Sequence, residues 1–105
     1  MLRQRTLQRE VSAAGIGLHS GELIWITIKP SEVSSGVTFR RKDLSPVKDI
    51  RVSVAKVVNT NLASTIDEDG VTISTVEHLM AALSGLGIDN VLVEVTGSEI
   101  PIMDG

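Results

Sequence analysis

Residues 74–90 read STVEHLMAALSGLGIDN and set a glutamate beside a histidine, Glu77 and His78, where an apolar helical pattern begins. A histidine in the first turn of a helix lies at the positive end of the macrodipole. That position favours the neutral imidazole that a metal takes as ligand. A carboxylate beside it, held by the same turn, is placed to act as general base toward a water polarised by the metal. One histidine is a weak metal signal, and the order differs from the H-E-x-x-H motif. The same stretch also spells a capping box. In Ser74-x-x-Glu77 the serine hydroxyl would accept from the Glu77 N–H, and the Glu77 carboxylate would reach back to the Ser74 N–H. On this stretch alone both readings stand.

His19 is the other of the two histidines, in the segment GIGLHSG, where Gly15, Gly17 and Gly21 allow tight turns and close backbone approach. The segment is neither a dinucleotide fingerprint nor a P-loop, because no Gly-Lys-Ser/Thr follows. By itself His19 reads as a turn residue. The acidic DEDG at 67–70 reads as a solvated turn that lacks the further ligands of a calcium loop. With no cysteine, the chain can hold neither a disulfide nor a thiolate metal site.

A small domain must position these residues, since 105 residues suffice for one core and not for two. Hydrophobic residues make up 42% of the chain, but only Trp25 and Phe39 are aromatic, so aliphatic side chains must fill the core. The net charge of −3 conceals an asymmetry: residues 1–52 carry nine Lys or Arg against five acids, and residues 53–105 carry Lys56 against eight. Interleaving of the two halves would offset these charges. A negative total with two aromatics argues against nucleic-acid binding. No secretory signal follows Met1, and no apolar run could span a bilayer, so a soluble cytoplasmic protein is expected.

The pattern predicts mostly strands. RQRTLQREV alternates weakly, as an edge strand would, and SAAGIGLHSGE reads as a glycine-rich turn. LIWITIK alternates cleanly, with Ile24, Ile26 and Ile28 on one face, and Pro30 closes it. Further strands are expected at GVTFRR, at IRVSVAKVV and at NVLVEV. LASTIDEDGVTIS resembles a hairpin turning at Asp69-Gly70. One helix is predicted from about Thr75 to Leu86, with Val76, Leu79, Met80 and Leu83 on one face and Gly85 and Gly87 ending it. Strands with one late helix make an α+β pattern rather than βαβ units. The sequence stops on the turn Asp104-Gly105, from which a truncated protein is expected.

GIGLHSGE, GVTFRR followed by Asp43, TVEHLMAALSGLGIDN and EIPIMDG occur in this order along the chain. Together they resemble the amino-terminal half of the UDP-3-O-acyl-N-acetylglucosamine deacetylase family, zinc enzymes of lipid A biosynthesis, over residues 4–105. The resemblance implies a two-layer sandwich, mostly antiparallel sheet packed on helix, like domain 2 of ribosomal protein S5. Residues 1–105 would be the amino-terminal domain of a two-domain enzyme whose active site lies between the domains. It further implies that His78 is a Zn2+ ligand, that Glu77 is the general base facing the metal, and that His19 borders the substrate site. Leu62 and Ala63, in NTNLAST, would line the catalytic cleft.

In that family the other zinc ligands, the histidine proposed to protonate the leaving amine and the groove for the acyl chain belong to the second domain. The isolated chain is therefore expected to be inactive. The alternative is a non-catalytic binding or assembly module of the same fold. Such a lone domain would expose an apolar face and could pair with a second copy.

Overall fold

The cleanest alternation in the sequence builds one wall of the core. In a computed structural model, which describes residues 5–52, 57–59, 64–68 and 70–101, strand β2 (Leu23–Pro30) turns Ile24 and Ile26 inward, 2% and 5% exposed. Leu23 and Trp25 face the other way and are exposed, as the period of two requires. Beside β2 lies β1 (Val11–Ile16), antiparallel, with Val11 opposite Ile28 and Ile16 opposite Leu23. The edge strand therefore falls on VSAAGI, not on the arginine-rich segment before it. Its pairing partner decides this, because β2 in register draws in the small residues 13–15 and leaves only 17–22 to turn.

The remaining strands of this sheet are β3 (Val37–Arg41) and β4 (Lys48–Arg51), together with β8 (Val91–Val95) at its centre. Their order is β1-β2-β8-β3-β4. All pairs are antiparallel except β3 with β8. A central strand is buried on both faces, which accounts for the nearly continuous apolar run of β8. Its one acid, Glu94, is met by Lys29 at 2.9 Å, Arg40 at 3.4 Å and Lys42 at 3.8 Å. The basic first half and acidic second half thus interleave, as the charge asymmetry implied.

A second, three-stranded antiparallel sheet holds β5 (Val57–Asn59), β6 (Ser64–Glu68) and β7 (Val71–Ser74). Glu68 pairs with Val71, and Gly70 between them stands at φ 78°, as the expected hairpin requires; Asp69, the other residue of the expected turn, lies outside the described residues. Helix α1 (Glu77–Gly85) follows. Val76 and Leu83 join Ile24, Phe39, Ile50, Ile73 and the inward valines of β8 in one core, with Leu79 and Met80 packed against it. The helix ends in a Schellman motif: Ile88 N–H donates to the Leu83 carbonyl at 2.9 Å and Gly87 N–H to that of Ser84 at 3.1 Å. Gly87 supplies the required left-handed residue, at φ 71°. The described residues thus make a small α+β domain, mostly antiparallel sheet with one helix among them, as the pattern predicted.

Candidate functional site

Helix α1 starts two residues later than the sequence pattern indicates, and the reason lies outside the helix. Ser74 ends β7 and forms a parallel bridge with Glu99. The Ser74 N–H donates to the Ser98 carbonyl at 2.9 Å, and its carbonyl accepts from the Ile100 N–H at 3.0 Å. The Ser74 hydroxyl also points to the Ser98 carbonyl, at 3.3 Å. The N-cap is Val76, with no side-chain cap bond. The capping box is therefore not formed: Ser74 stands two residues before the N-cap, and the N–H that Glu77 would have to reach is already given to the Ser98 carbonyl.

Between bridge and helix stands Thr75, with φ 61°. A β-branched residue in the left-handed region is strained by about 1–3 kcal/mol. Thr75 is buried at 8% exposure, and its hydroxyl has no hydrogen-bond partner among the described residues. This kink turns the chain from β7 into α1 and sets Glu77, half-buried, and His78, exposed, in the first helical turn. A carboxylate and an imidazole at a helix start can move a proton and supply one nitrogen ligand.

His19 sits in the loop between β1 and β2, and it too is tied to the 98–100 segment. The Glu99 side chain, 2% exposed, accepts the His19 N–H at 3.1 and 3.2 Å from its two oxygens and the Ser20 N–H at 2.9 Å. Burial alone would raise the Glu99 carboxyl. The N–H groups of Ser20 and His19 outweigh it and hold the group below its ordinary value. Gly17 makes this approach possible, since a Cβ there would overlap the Glu99 carboxylate.

Leu62 and Ala63, expected to line the cleft, lie outside the described residues. Among the described residues no three His, Cys, Asp or Glu side chains gather as a metal cluster. His78 can thus offer one ligand but not complete a site, and the described residues fit a catalytic zinc only in part. Sequence reasoning missed Glu99 and Thr75. The available signal for Glu99 was an acid standing beside the apolar IPIM, near the end of a buried strand. For Thr75 there was none. GLGIDN, prominent as a motif, fastens structure: Asn90 Oδ1 accepts the Gly36 N–H at 2.8 Å, and Asp89 Oδ2 accepts the Arg5 N–H at 2.9 Å.

Fold and site together define a small α+β domain that presents an acid–histidine pair at a helix start. The model of the UDP-3-O-acyl N-acetylglycosamine deacetylase (LpxC) family matches residues 4–105, and the chain belongs to that family. It is 50% identical over all 105 residues to the UDP-3-O-acyl-N-acetylglucosamine deacetylase of Saccharophagus degradans, of which it covers 35%. The enzymes of the same name from Marinobacter nauticus and Pseudomonas entomophila are each 51% identical, with 34% and 35% of their length covered. The chain spans about a third of the length of the curated relatives it matches, less than the half suggested by the motifs, and corresponds to their amino-terminal part.

Proposed function

We propose that this chain supplies the first part of the active site of a zinc-dependent deacetylase. The substrate would be UDP-3-O-(3-hydroxyacyl)-N-acetylglucosamine, and the reaction the committed step of lipid A biosynthesis in the cytoplasm. The observation that carries this reading is the Glu77–His78 pair in the first turn of α1, within a chain of the deacetylase family. In this reading His78 gives one zinc ligand, and the others come from the remaining two-thirds of the enzyme, which forms a second domain. When bound, zinc supplies Lewis-acid polarisation of the acetamide carbonyl and of water.

Glu77 takes the proton of the attacking water as its oxygen bonds to the carbonyl carbon. The C–N bond then breaks, the amine takes up a proton and acetate leaves. His19, with Leu62 and Ala63, borders the substrate. The isolated chain would be inactive, and its fold would be of the kind found in domain 2 of ribosomal protein S5. Acetate release with the rest of the enzyme supplied in trans tests the reading. Glu77→Ala should lower the rate by at least about a hundredfold. Undiminished activity in that variant would remove Glu77 from the reaction.

A non-catalytic assembly role is the second reading. It is favoured by Ile16, Leu18, Leu23 and Trp25, all more than half exposed around the β1–β2 turn. A second copy could cover them, and a strictly monomeric sedimentation profile at high concentration would count against this role.

A further inference from the structure

We infer that Glu99 is a positioning residue: it holds the His19 turn in fixed register with the start of α1, and therefore with Glu77 and His78. The inference rests on the reading that His19 borders the active site. Its structural basis is one short segment with two attachments. Through its backbone, 98–100 is bonded on both sides of Ser74, three residues before Glu77. Through the Glu99 carboxylate, the same segment grips the backbone N–H groups of His19 and Ser20. Among the described residues, 98–100 is thus the segment bonded to both.

The loop is shaped to receive that carboxylate. Gly17 N–H donates to the Glu22 carbonyl and Gly21 N–H to the Gly17 carbonyl, both at 2.9 Å, closing a ring around residues 18–20. The N–H groups inside such a ring form a concave anion site. Here the anion is the chain's own buried side chain. Charged acceptors make stronger hydrogen bonds than neutral ones, so a carboxylate fixes this loop better than an amide or water would. Both bonds to His19 use its backbone N–H and not its ring, so the clasp fixes the backbone from which the imidazole extends. Gly17 is part of the same device, because any side chain there would displace the carboxylate.

Two arms test this on the chain completed with the rest of the enzyme. The first reads amide exchange in Glu99→Gln and, as an independent variant that keeps the acid, Gly17→Ala. The amides of His19 and Ser20 should exchange at least about tenfold faster, while those of Ser74 and Ile100 stay protected. Unchanged exchange at His19 and Ser20 would overturn the clasp.

The second arm is a double-mutant cycle on kcat/KM with His19→Ala, which removes the ring but leaves the clasped N–H. Glu99→Gln should cost roughly tenfold to a hundredfold, as misplacement of a site group does. Adding it to His19→Ala should cost little more. Fully additive losses would mean that Glu99 acts independently of His19 and would overturn the positioning role. If His19→Ala alone is silent, the assignment of His19 to the site is wrong and the functional half of the inference falls, whatever the exchange data show.

Discussion

Ser74 and Glu99 face each other across a parallel bridge that fixes both ends of Ser74's peptide geometry: its N–H donates to the Ser98 carbonyl and its carbonyl accepts from Ile100. Their pairing converts a sequence that spells a helix cap into the end of a strand. It also ties the segment bearing Glu99 to the segment that launches Glu77 and His78.

The first prediction concerns that serine. A working N-cap loses about 1 kcal/mol on truncation to alanine. The Ser74 hydroxyl makes only a long bond, 3.3 Å, to a carbonyl that the Ser74 N–H already serves. Ser74→Ala should therefore cost less than about 0.5 kcal/mol in urea unfolding, below the range for a cap. A loss above 1 kcal/mol would show that the cap forms in solution.

Thr75 should be replaceable with a gain. Glycine removes the penalty at φ 61° and the orphaned hydroxyl, at the cost of one buried methyl and some chain entropy. Weighing strain and desolvation of about 1–3 kcal/mol each against those losses, Thr75→Gly should stabilise by on the order of 1 kcal/mol. If activity in the completed enzyme falls as stability rises, the strain serves the site. A lower unfolding midpoint would contradict the strain itself.

Acid should weaken the fold in a defined direction. The bidentate bond from Arg41 holds the Asp43 carboxyl below its ordinary value, and Arg40 does the same for Asp49. For Glu94 and Glu99 burial acts upward, but the bonds they accept prevail and both lie low. A carboxyl depressed in the folded state contributes its full stability above its unfolded value near 4 and loses it as pH falls through the folded value. The unfolding free energy should thus be flat near neutrality and decline below about pH 4. Asp43→Asn should cost about 1–3 kcal/mol at pH 7, and the gap to wild type should narrow at pH 2. A gap independent of pH would mean that the Arg41–Asp43 pair contributes by packing alone.

The helix stop offers a check on backbone strain. Gly87→Ala places a Cβ at φ 71°, where its nearest neighbour, the Arg5 guanidinium, stands 3.8 Å away, so the cost is conformational and not steric. It should be about 1–2 kcal/mol in urea unfolding. A neutral result would mean that the Schellman turn opens without loss.

Periodicity in the sequence located β2, β3, β8 and the apolar face of α1, because those residues face either core or solvent with little else to satisfy. It misplaced β1, because Ala13, Ala14 and Gly15 carry no hydrophobic signal and become a strand only by pairing with β2. Residue type and position singled out Glu77 and His78 as able to do chemistry, whereas His19 read by itself as a turn residue and was attached to the site only by the family resemblance. None of these signals could rank Glu99, whose importance is a bond across 80 residues of chain.

The amino-acid sequence by itself determined the α+β class, the helix that carries Glu77 and His78, and membership of the deacetylase family, since each rests on local pattern or ordered motifs. Tertiary structure decided which groups meet. It withdrew Ser74 from the helix cap, forced Thr75 into a strained turn and drew the Glu99 carboxylate into the His19 loop. Backbone hydrogen bonds between distant segments are satisfied once, in three dimensions, and a one-dimensional spacing cannot say which of two willing partners will take them.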